Sequence, residues 1–344
     1  MMSLCQLTTP APAPAKEGSL GARASCPQPA WNWSANGGQD ACAPAYSQSR
    51  KGVNPMSITM PIIDTHQHLI YPERYSYSWT ADIPRLAGKP FRYDDYLMAI
   101  EGTGVRRTIF MESGADDPVW QEETRFVNTL AGTPGSLIGG IIANCRPEEE
   151  RGFEAYVESV LSPKLVGLRR ILHTEPDELS QRTCFSSNLR LLEKFELTFD
   201  LCVLARQLPL ATNLAAKCPG VQFVLDHCGV PDIASGEADL WRQHIKEISK
   251  LPNVACKISG VLAYCAPGRA NMETVRPYVE HCLEQFGWDR TVWGSDGPVC
   301  TISSDLRTWV DATRQLIAIA DESSQRRLLH DNAVRIYRLS ESAA

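Results

Sequence analysis

The chain has 344 residues, 43% of them hydrophobic, and a formal net charge of −6, enough for a sizeable core in one large domain or two ordinary ones. It carries no basic run and no aromatic-basic stripe, which excludes nucleic acid and anionic membrane as partners and leaves a small molecule. No apolar run approaches the roughly 18 residues of a membrane helix.

Residues 1–56 are rich in Ala, Pro, Ser, Gly and Gln, as in Thr9-Pro10-Ala11-Pro12-Ala13-Pro14. Such a segment cannot bury enough surface to offset its chain entropy, so a disordered extension is expected there. It has neither the basic start nor the apolar stretch of a secretory signal. Met56 and Met60 stand just before the first apolar run as alternative translation starts.

From residue 57 to 341 the pattern changes and a single domain is expected. Short apolar runs occupy 62–69, 107–113, 137–144, 165–173, 197–203, 221–227, 254–259 and 291–296. Amphipathic stretches separate them: 116–131, 153–161, 186–196, 205–217, 238–250, 271–286 and 303–320. In the second of these, Phe153, Tyr156, Val157, Val160 and Leu161 keep helical spacing. Near-continuous apolar strands alternating with helices indicate a parallel sheet buried on both faces. Eight repeats predict an α/β fold of the (β/α)8 TIM barrel type, since a doubly wound sheet normally carries a Gly-rich turn where His66-Gln67-His68 stands. Residues 321–339 read as a terminal helix on the outside of the barrel.

The twelve cysteines are irregularly spaced, and Cys145, Cys202, Cys228 and Cys256 sit inside apolar runs with no Cys-x-x-Cys pair. Free cysteine there acts as a small hydrophobe, so a reducing, cytoplasmic setting is expected. No feature points to an oligomer, and none forbids one.

Barrels of this type place their active sites at the C-terminal strand ends. The first run ends in His66 and His68, two residues apart and therefore on one face of a strand, which suits a shared metal or oxyanion. Later runs end in Glu112, Asn144, Arg169, Arg170 and His173, Asp200 and Cys202, Asp226 and His227, Lys257 and Ser259, and Asp296. Buried charges need partners or metals, so this clustering indicates an enzyme. Neighbouring strand residues face opposite ways. One of Asp226 and His227 is therefore expected in the mouth, with His227 read as the inward one. One of Arg169 and Arg170 is expected to pair with a carboxylate elsewhere. Lys257 is either a substrate group or a solvated strand end, and Glu112 either a substrate-binding group or an ion-pair partner. Asp64 reads as a salt-bridge residue; His244, His281 and His330 read as surface or packing histidines. Tyr71, Tyr75, Tyr77 and Trp79 in the first βα loop form either a substrate platform, with Trp79 in contact, or packing over the rim.

The motifs Ile63-Asp64-Thr65-His66-Gln67-His68-Leu69, Gly167-Leu168-Arg169-Arg170, Leu225-Asp226-His227-Cys228-Gly229, Cys256-Lys257-Ile258-Ser259-Gly260, Trp293-Gly294-Ser295-Asp296-Gly297-Pro298-Val299 and His330-Asp331-Asn332-Ala333 resemble the amidohydrolase superfamily. More narrowly they are similar to its sugar-lactonase branch, which includes L-fuconolactonase and L-rhamnonolactonase, with pyrone-dicarboxylate lactonase nearby. The resemblance covers residues 61–340. It implies a hydrolase in which Asp296 deprotonates the attacking water while His66, His68 and His227 line the site. The family commonly has Trp where Gly297 stands, a departure expected to open the pocket beside the base. Dinuclear members need a lysine on strand four and a histidine ending strand five. This chain has Arg170 and His173 on the former and Cys202 on the latter, so one divalent ion, zinc first, or none is expected.

Lactone opening needs a water nucleophile, a base and stabilisation of the oxyanion. Asp296 would be the base. His66 and His68, with Asp296 or through a metal these three hold, would polarise the carbonyl or lower the pKa of water. His227 and His173 would assist, and Arg169 or Arg170 would grip a carboxylate or hydroxyl substituent, so the expected substrate is a sugar-acid or related carboxylated lactone. The rival readings are a metal-dependent decarboxylase of aromatic or unsaturated acids on the same barrel, and a non-catalytic barrel that binds sugar acids.

Overall fold

The computed structural model describes residues 60–340. The expected disorder of 1–56 and the domain limits at 57 and 341 lie outside the described residues. Eight parallel strands run in sequence order: β1 (Ile62–Gln67), β2 (Val105–Met111), β3 (Ile138–Asn144), β4 (Leu165–Ile171), β5 (Thr198–Cys202), β6 (Phe223–Leu225), β7 (Val254–Ile258) and β8 (Thr291–Trp293). Between them lie α1 (Tyr93–Ile100), α2 (Trp120–Ala131), α3 (Phe153–Val160), α4 (Thr183–Lys194), α5 (Leu208–Lys217), α6 (Asp239–Ile248) and α7 (Met272–Phe286), with α8 (Leu306–Ile317) after the last strand. The chain is therefore a TIM barrel. The sequence pattern located seven of these helices and omitted α1, whose eight residues bury only Tyr96 and Ile100. Helix starts follow local chemistry: the Asn271 side chain accepts from Thr274 N (3.0 Å) to begin α7, and Asp305 accepts from Thr308 N (2.8 Å) to begin α8.

The strands bury both faces. Outward side chains such as Phe110, Leu168, Phe199, Phe223 and Trp293 pack with the helices in the larger core. A second cluster joins Ile63, Ile109, Met111, Ile142, Val224, Ala255 and Val292 to Ala333, Ile336, Tyr337 and Leu339. The C-terminal segment, α9 (Glu322–Arg326), a π turn (Arg327–Asp331) and α10 (Asn332–Ile336), thus closes the N-terminal end of the barrel instead of lying on its outside as expected. Three anchors at strand starts hold it there. Asn332 Nδ2 donates to Thr291 O (2.8 Å), Arg107 donates to Ser340 O (2.9 Å), and Arg338 donates to Glu196 O (2.8 Å).

The ring closes between β1 and β8 through a parallel bridge of Gln67 with Gly297. Asp296 N donates to His66 O and His68 N to Gly297 O, both at 2.7 Å, and Thr65 Oγ1 donates to Trp293 O (2.7 Å). At Gly294 the strands touch: a Cβ there would lie 2.7 Å from His66 Cβ. The seam of the barrel is the place where the first histidine and the last aspartate meet.

Candidate active site

His66 and His68 share the inner face of β1's end, as the two-residue spacing predicts. Their Nε2 atoms are 3.1 Å apart, and Asp296 Oδ1 lies 3.6 Å from the first and 3.5 Å from the second. His68 Nδ1 faces two backbone carbonyls, Met111 O (3.1 Å) and Glu112 O (3.0 Å). Carbonyls only accept, so Nδ1 carries a proton, and Nε2 is the ring nitrogen turned toward His66 and Asp296. Two nitrogens and a carboxylate oxygen therefore converge in a triangle with edges of 3.1, 3.5 and 3.6 Å. Tetrahedral ligands about 2.0–2.1 Å from a zinc ion stand roughly 3.3 Å from one another. The donor set fits a single divalent cation. His66, His227 and Asp296 also bring ligand atoms within 4.8 Å of one another.

Asp296 and His227 are not on strands. β8 ends at Trp293 and β6 at Leu225, and both residues sit in turns at positive φ, 57° for Asp296 and 53° for His227. Cys228 follows at φ 56°. Non-glycine residues adopt this conformation at a cost that the surroundings must override, and such residues concentrate at functional sites. The turn corrects one expectation: Asp226 and His227 both face the interior, because strand alternation no longer applies to them. Asp226 lies 2.9 Å from Lys257 Nζ, 3.4 Å from His66 Nδ1 and 3.5 Å from Arg169. His227 Nδ1 lies 2.9 Å from Ser259 Oγ and 3.9 Å from Asp296 Oδ2. Burial lowers the pKa of both His66 and His227, so both are neutral imidazoles at neutral pH.

Arg169 is 3% exposed and its fork grips Glu112: Nε donates to Oε1 (2.7 Å) and a terminal nitrogen to the Glu112 carbonyl (2.7 Å). Burial pushes the Glu112 carboxyl up, but Arg169 and the Gly114 N–H outweigh it and leave the group below its ordinary value. Glu112 is thus the ion-pair partner, fully buried, and not a substrate contact. Arg170 points the other way, to Glu148 (2.8 Å) and Glu175 (3.0 Å), as the alternation of β4 requires. Lys257 is neither solvated nor within reach of a substrate. It is 0% exposed and held by Asp200 (2.5 Å) and Asp226 (2.9 Å). His173, half-buried at the end of β4, meets Cys202 Sγ at 3.2 Å; burial and then Arg169 lower its pKa to about 4. Among the described residues Asp64 makes no ion pair and instead accepts from His66 N (3.1 Å), Ser295 N (2.7 Å) and the Tyr96 hydroxyl (2.9 Å), tying β1 to β8 and α1.

In the first βα loop, Tyr71, Tyr75 and Tyr77 are buried, and Tyr71 and Tyr75 pack on Phe126 of α2, so these three form the rim packing. Trp79 is half-buried; its Nε1 donates to Ser113 O (2.8 Å), and it borders Gly114 and Ile171 at the ends of β2 and β4. The missing side chain at Gly297 does not open the mouth. A Cβ there would face Ser295, Leu306 and Phe91, on a cleft of about 300 Å³ between α1 and α8. His281, His330 and His244 lie away from the site, the first on Arg242 O and the second beside Asp331. Reasoning from the sequence missed Asp226 as an inward group. Gly229, two residues after His227, is the signal for a turn there.

A model of the amidohydrolase family matches residues 63–339. The chain belongs to the amidohydrolase family. Among curated proteins it is 26% identical to an L-fucono-1,5-lactonase of Burkholderia ambifaria over 282 residues, covering 80% of this chain and 95% of that one. It is also 26% identical to an L-fucono-1,5-lactonase of Burkholderia multivorans over 309 residues, covering 82% and 97%. Among solved structures, a zinc-bound amidohydrolase of Burkholderia multivorans superposes with a TM-score of 0.75 at 23% identity, covering 81% of this chain and all of that one. This family member is a hydrolase, and no described helix is long and apolar enough to cross a membrane.

Proposed function

We propose that this protein is a lactonase that opens uncharged aldonolactones, with Asp296 as the general base. The observation that carries this reading is the convergence of Asp296 Oδ1 with the His66 and His68 Nε2 atoms inside 3.6 Å, at the mouth of a family barrel whose curated relatives include lactonases.

Asp296, 2% exposed and locked by its N–H to His66 O and its carbonyl to Cys300 N (2.8 Å), takes a proton from the attacking water at a carboxylate oxygen. The hydroxide oxygen bonds to the lactone carbonyl carbon. As the ring C–O bond breaks, Asp296 returns its proton to the leaving ring oxygen, giving a hydroxy acid. The product carboxyl ionises and releases one proton. His227, a neutral imidazole at the mouth, donates from a ring N–H to the carbonyl oxygen as negative charge develops there. Trp79 offers an apolar face for the sugar ring. His66, His68 and Asp296 would hold one divalent ion, zinc first, which when bound polarises the carbonyl and lowers the pKa of water.

Charge defines the substrate class. The carboxyls of Glu112, Asp200, Asp226 and Asp296 are buried at the strand ends with the cations Arg169 and Lys257, and those of Asp64 and Glu123 are buried beside them. The arginines near the mouth are already engaged: Arg169 by Glu112, Arg170 by Glu148 and Glu175, and Arg146 by Asp117 (3.4 Å). Among the described residues near the mouth, none of these guanidiniums is left for a substrate carboxylate. A pH-indicator assay over 1,5-aldonolactones and carboxylate-bearing lactones, alongside carbon dioxide release from aromatic acids, tests this. Proton release from neutral lactones at least about tenfold faster than from anionic ones is expected, since ~1.4 kcal/mol of unpaired charge suffices for that ratio. Turnover of anionic lactones alone, or carbon dioxide release, would overturn it.

A further inference from the structure

Trp79, the side chain placed against the sugar ring, stands in a loop, and its usefulness as a platform depends on what fixes that loop. Its Nε1 donates to Ser113 O at 2.8 Å. Ser113 is itself held by three hydrogen bonds: its N donates to Glu123 Oε2 (2.9 Å), its Oγ donates to Leu69 O (2.9 Å), and that Oγ accepts from Leu69 N (3.2 Å). Gly114, at φ 69°, supplies the seat. A Cβ there would lie 3.2 Å from Trp79 Nε1 and 3.4 Å from Ile171 Cδ1, so the bare backbone lets the indole lie close to the end of β2. Ile171 follows Arg169 by two residues and shares the inward face of β4. The indole therefore stands on the β2–β4 side of the mouth.

One bond at the indole edge leaves the ring free to swing about it. The backbone beside it is fixed by Asp116, from the connection between β2 and α2. Asp116 N donates to Ser76 O (3.0 Å), and its carboxylate accepts from Ser78 N (3.0 and 3.2 Å) and from Ser78 Oγ (2.7 Å). These bonds grip the chain on both sides of Tyr77 and end one residue before Trp79. Ser78 is exposed, so they and not packing hold it, and hydrogen bonds to a carboxylate are stronger than neutral ones. Asp116 takes no part in the hydrolytic steps. We propose that Asp116 is a positioning residue whose clasp on Ser78 holds the Trp79 indole at the mouth as a preformed platform for the substrate ring. The use of the platform rests on the lactonase reading, whereas the clasp stands on the geometry of the two loops. A platform ordered in advance lowers the entropy cost of binding, so its loss appears in KM more than in kcat.

The test compares Asp116→Ala and Asp116→Asn with the wild type, and repeats Asp116→Ala in a Trp79→Ala background. Asp116→Ala should raise KM for 1,5-aldonolactones about 3- to 10-fold with kcat held within about twofold. Asp116→Asn, which keeps an oxygen for Ser78, should recover most of that loss. In the Trp79→Ala background the same substitution should leave KM unchanged, because residues that act as one unit are not additive. Glu73→Ala removes an exposed ion pair to Arg92 (2.9 Å) near the start of the same loop and should keep the wild-type KM. Acrylamide quenching of Trp79 fluorescence, taken in each background as the difference from Trp79→Phe, needs no substrate and should rise in Asp116→Ala. Unchanged KM, unchanged quenching, or an equal rise in KM with and without Trp79 would each overturn the proposal. If Asp116→Ala fails to fold, Ser78→Ala, which removes only the 2.7 Å bond, takes its place. If the wild type opens no lactone, the lactonase reading falls and quenching alone decides the clasp.

Discussion

Replacing Gly294 by alanine strikes the seam where β1 meets β8. The new methyl would stand 2.7 Å from His66 Cβ and 3.1 Å from His66 N, against an optimum of about 3.5–4.0 Å for carbon pairs. His66 is backbone and Cβ at this point, with no flexible tip to swing aside, so the strands must part by roughly 1 Å. That movement stretches the 2.7 Å bonds from Asp296 N to His66 O and from His68 N to Gly297 O, and it widens the triangle of His66, His68 and Asp296. Overpacking of this kind costs about 1–3 kcal/mol of stability, or roughly 2–12 °C of Tm at 2–4 °C per kcal/mol for a domain of this size. A misplacement near 1 Å at reacting groups costs about 100-fold in rate. Gly132→Ala, where the nearest atom is 3.5 Å away, is the matched control. Steady-state lactone hydrolysis and thermal melts of both variants give the comparison. Wild-type turnover by Gly294→Ala would refute the dependence of the site on seam geometry.

Glu123 on α2 is fully buried, and burial, then the nearby Glu112, raise its pKa to about 8. An unfolded glutamate ionises near 4.3. Between those values the folded chain keeps a proton that the unfolded chain has lost, so stability falls as pH rises from about 4 to about 8 and levels off above. Glu123→Gln keeps the acceptor for Ser113 N (2.9 Å) and the contact with the Tyr77 hydroxyl without this penalty. It should be the more stable form at pH 7 by up to about 3 kcal/mol; urea unfolding at pH 5 and pH 8 in which both proteins change in parallel would contradict this. Arg169→Met leaves Glu112 buried without its cation and should cost about 3–5 kcal/mol, most of it regained by adding Glu112→Gln; a single variant that melts with the wild type would disprove the pairing. Dialysis against a chelator should abolish lactone turnover and zinc should restore it, whereas full activity with no bound metal by elemental analysis would remove the ion from the mechanism.

The barrel was legible because its signal is repetition: eight apolar runs with helical stretches between them survive errors at any one boundary. Strand-end chemistry was legible for the same reason, since His66, His68, Glu112, Arg169, Asp200 and Asp296 lie where a parallel barrel puts them. What the pattern could not show depends on contacts distant in sequence. Whether Lys257 is wet or dry turns on Asp200 and Asp226, residues 57 and 31 positions away. Asp226 was hidden because the alternation rule holds only on a strand, and β6 ends at Leu225. The amphipathic C-terminal stretch reads as a helix on any surface; only the strand starts at Arg107, Glu196 and Thr291 reveal that it closes the barrel. A glycine at 297 shows a missing side chain but not its direction, and the direction proved to be away from the mouth.

The central claim is that one carboxylate, brought beside two imidazoles by closure of the ring, moves the proton in lactone hydrolysis. Proton release from L-fucono-1,5-lactone by the wild type and by Asp296→Asn, each with its fold checked by circular dichroism, measures that most directly. Turnover by the wild type and a loss of at least about 1,000-fold in the folded variant, as expected for removal of the group that transfers the proton, is the predicted result. Near-equal rates from the two proteins would contradict it.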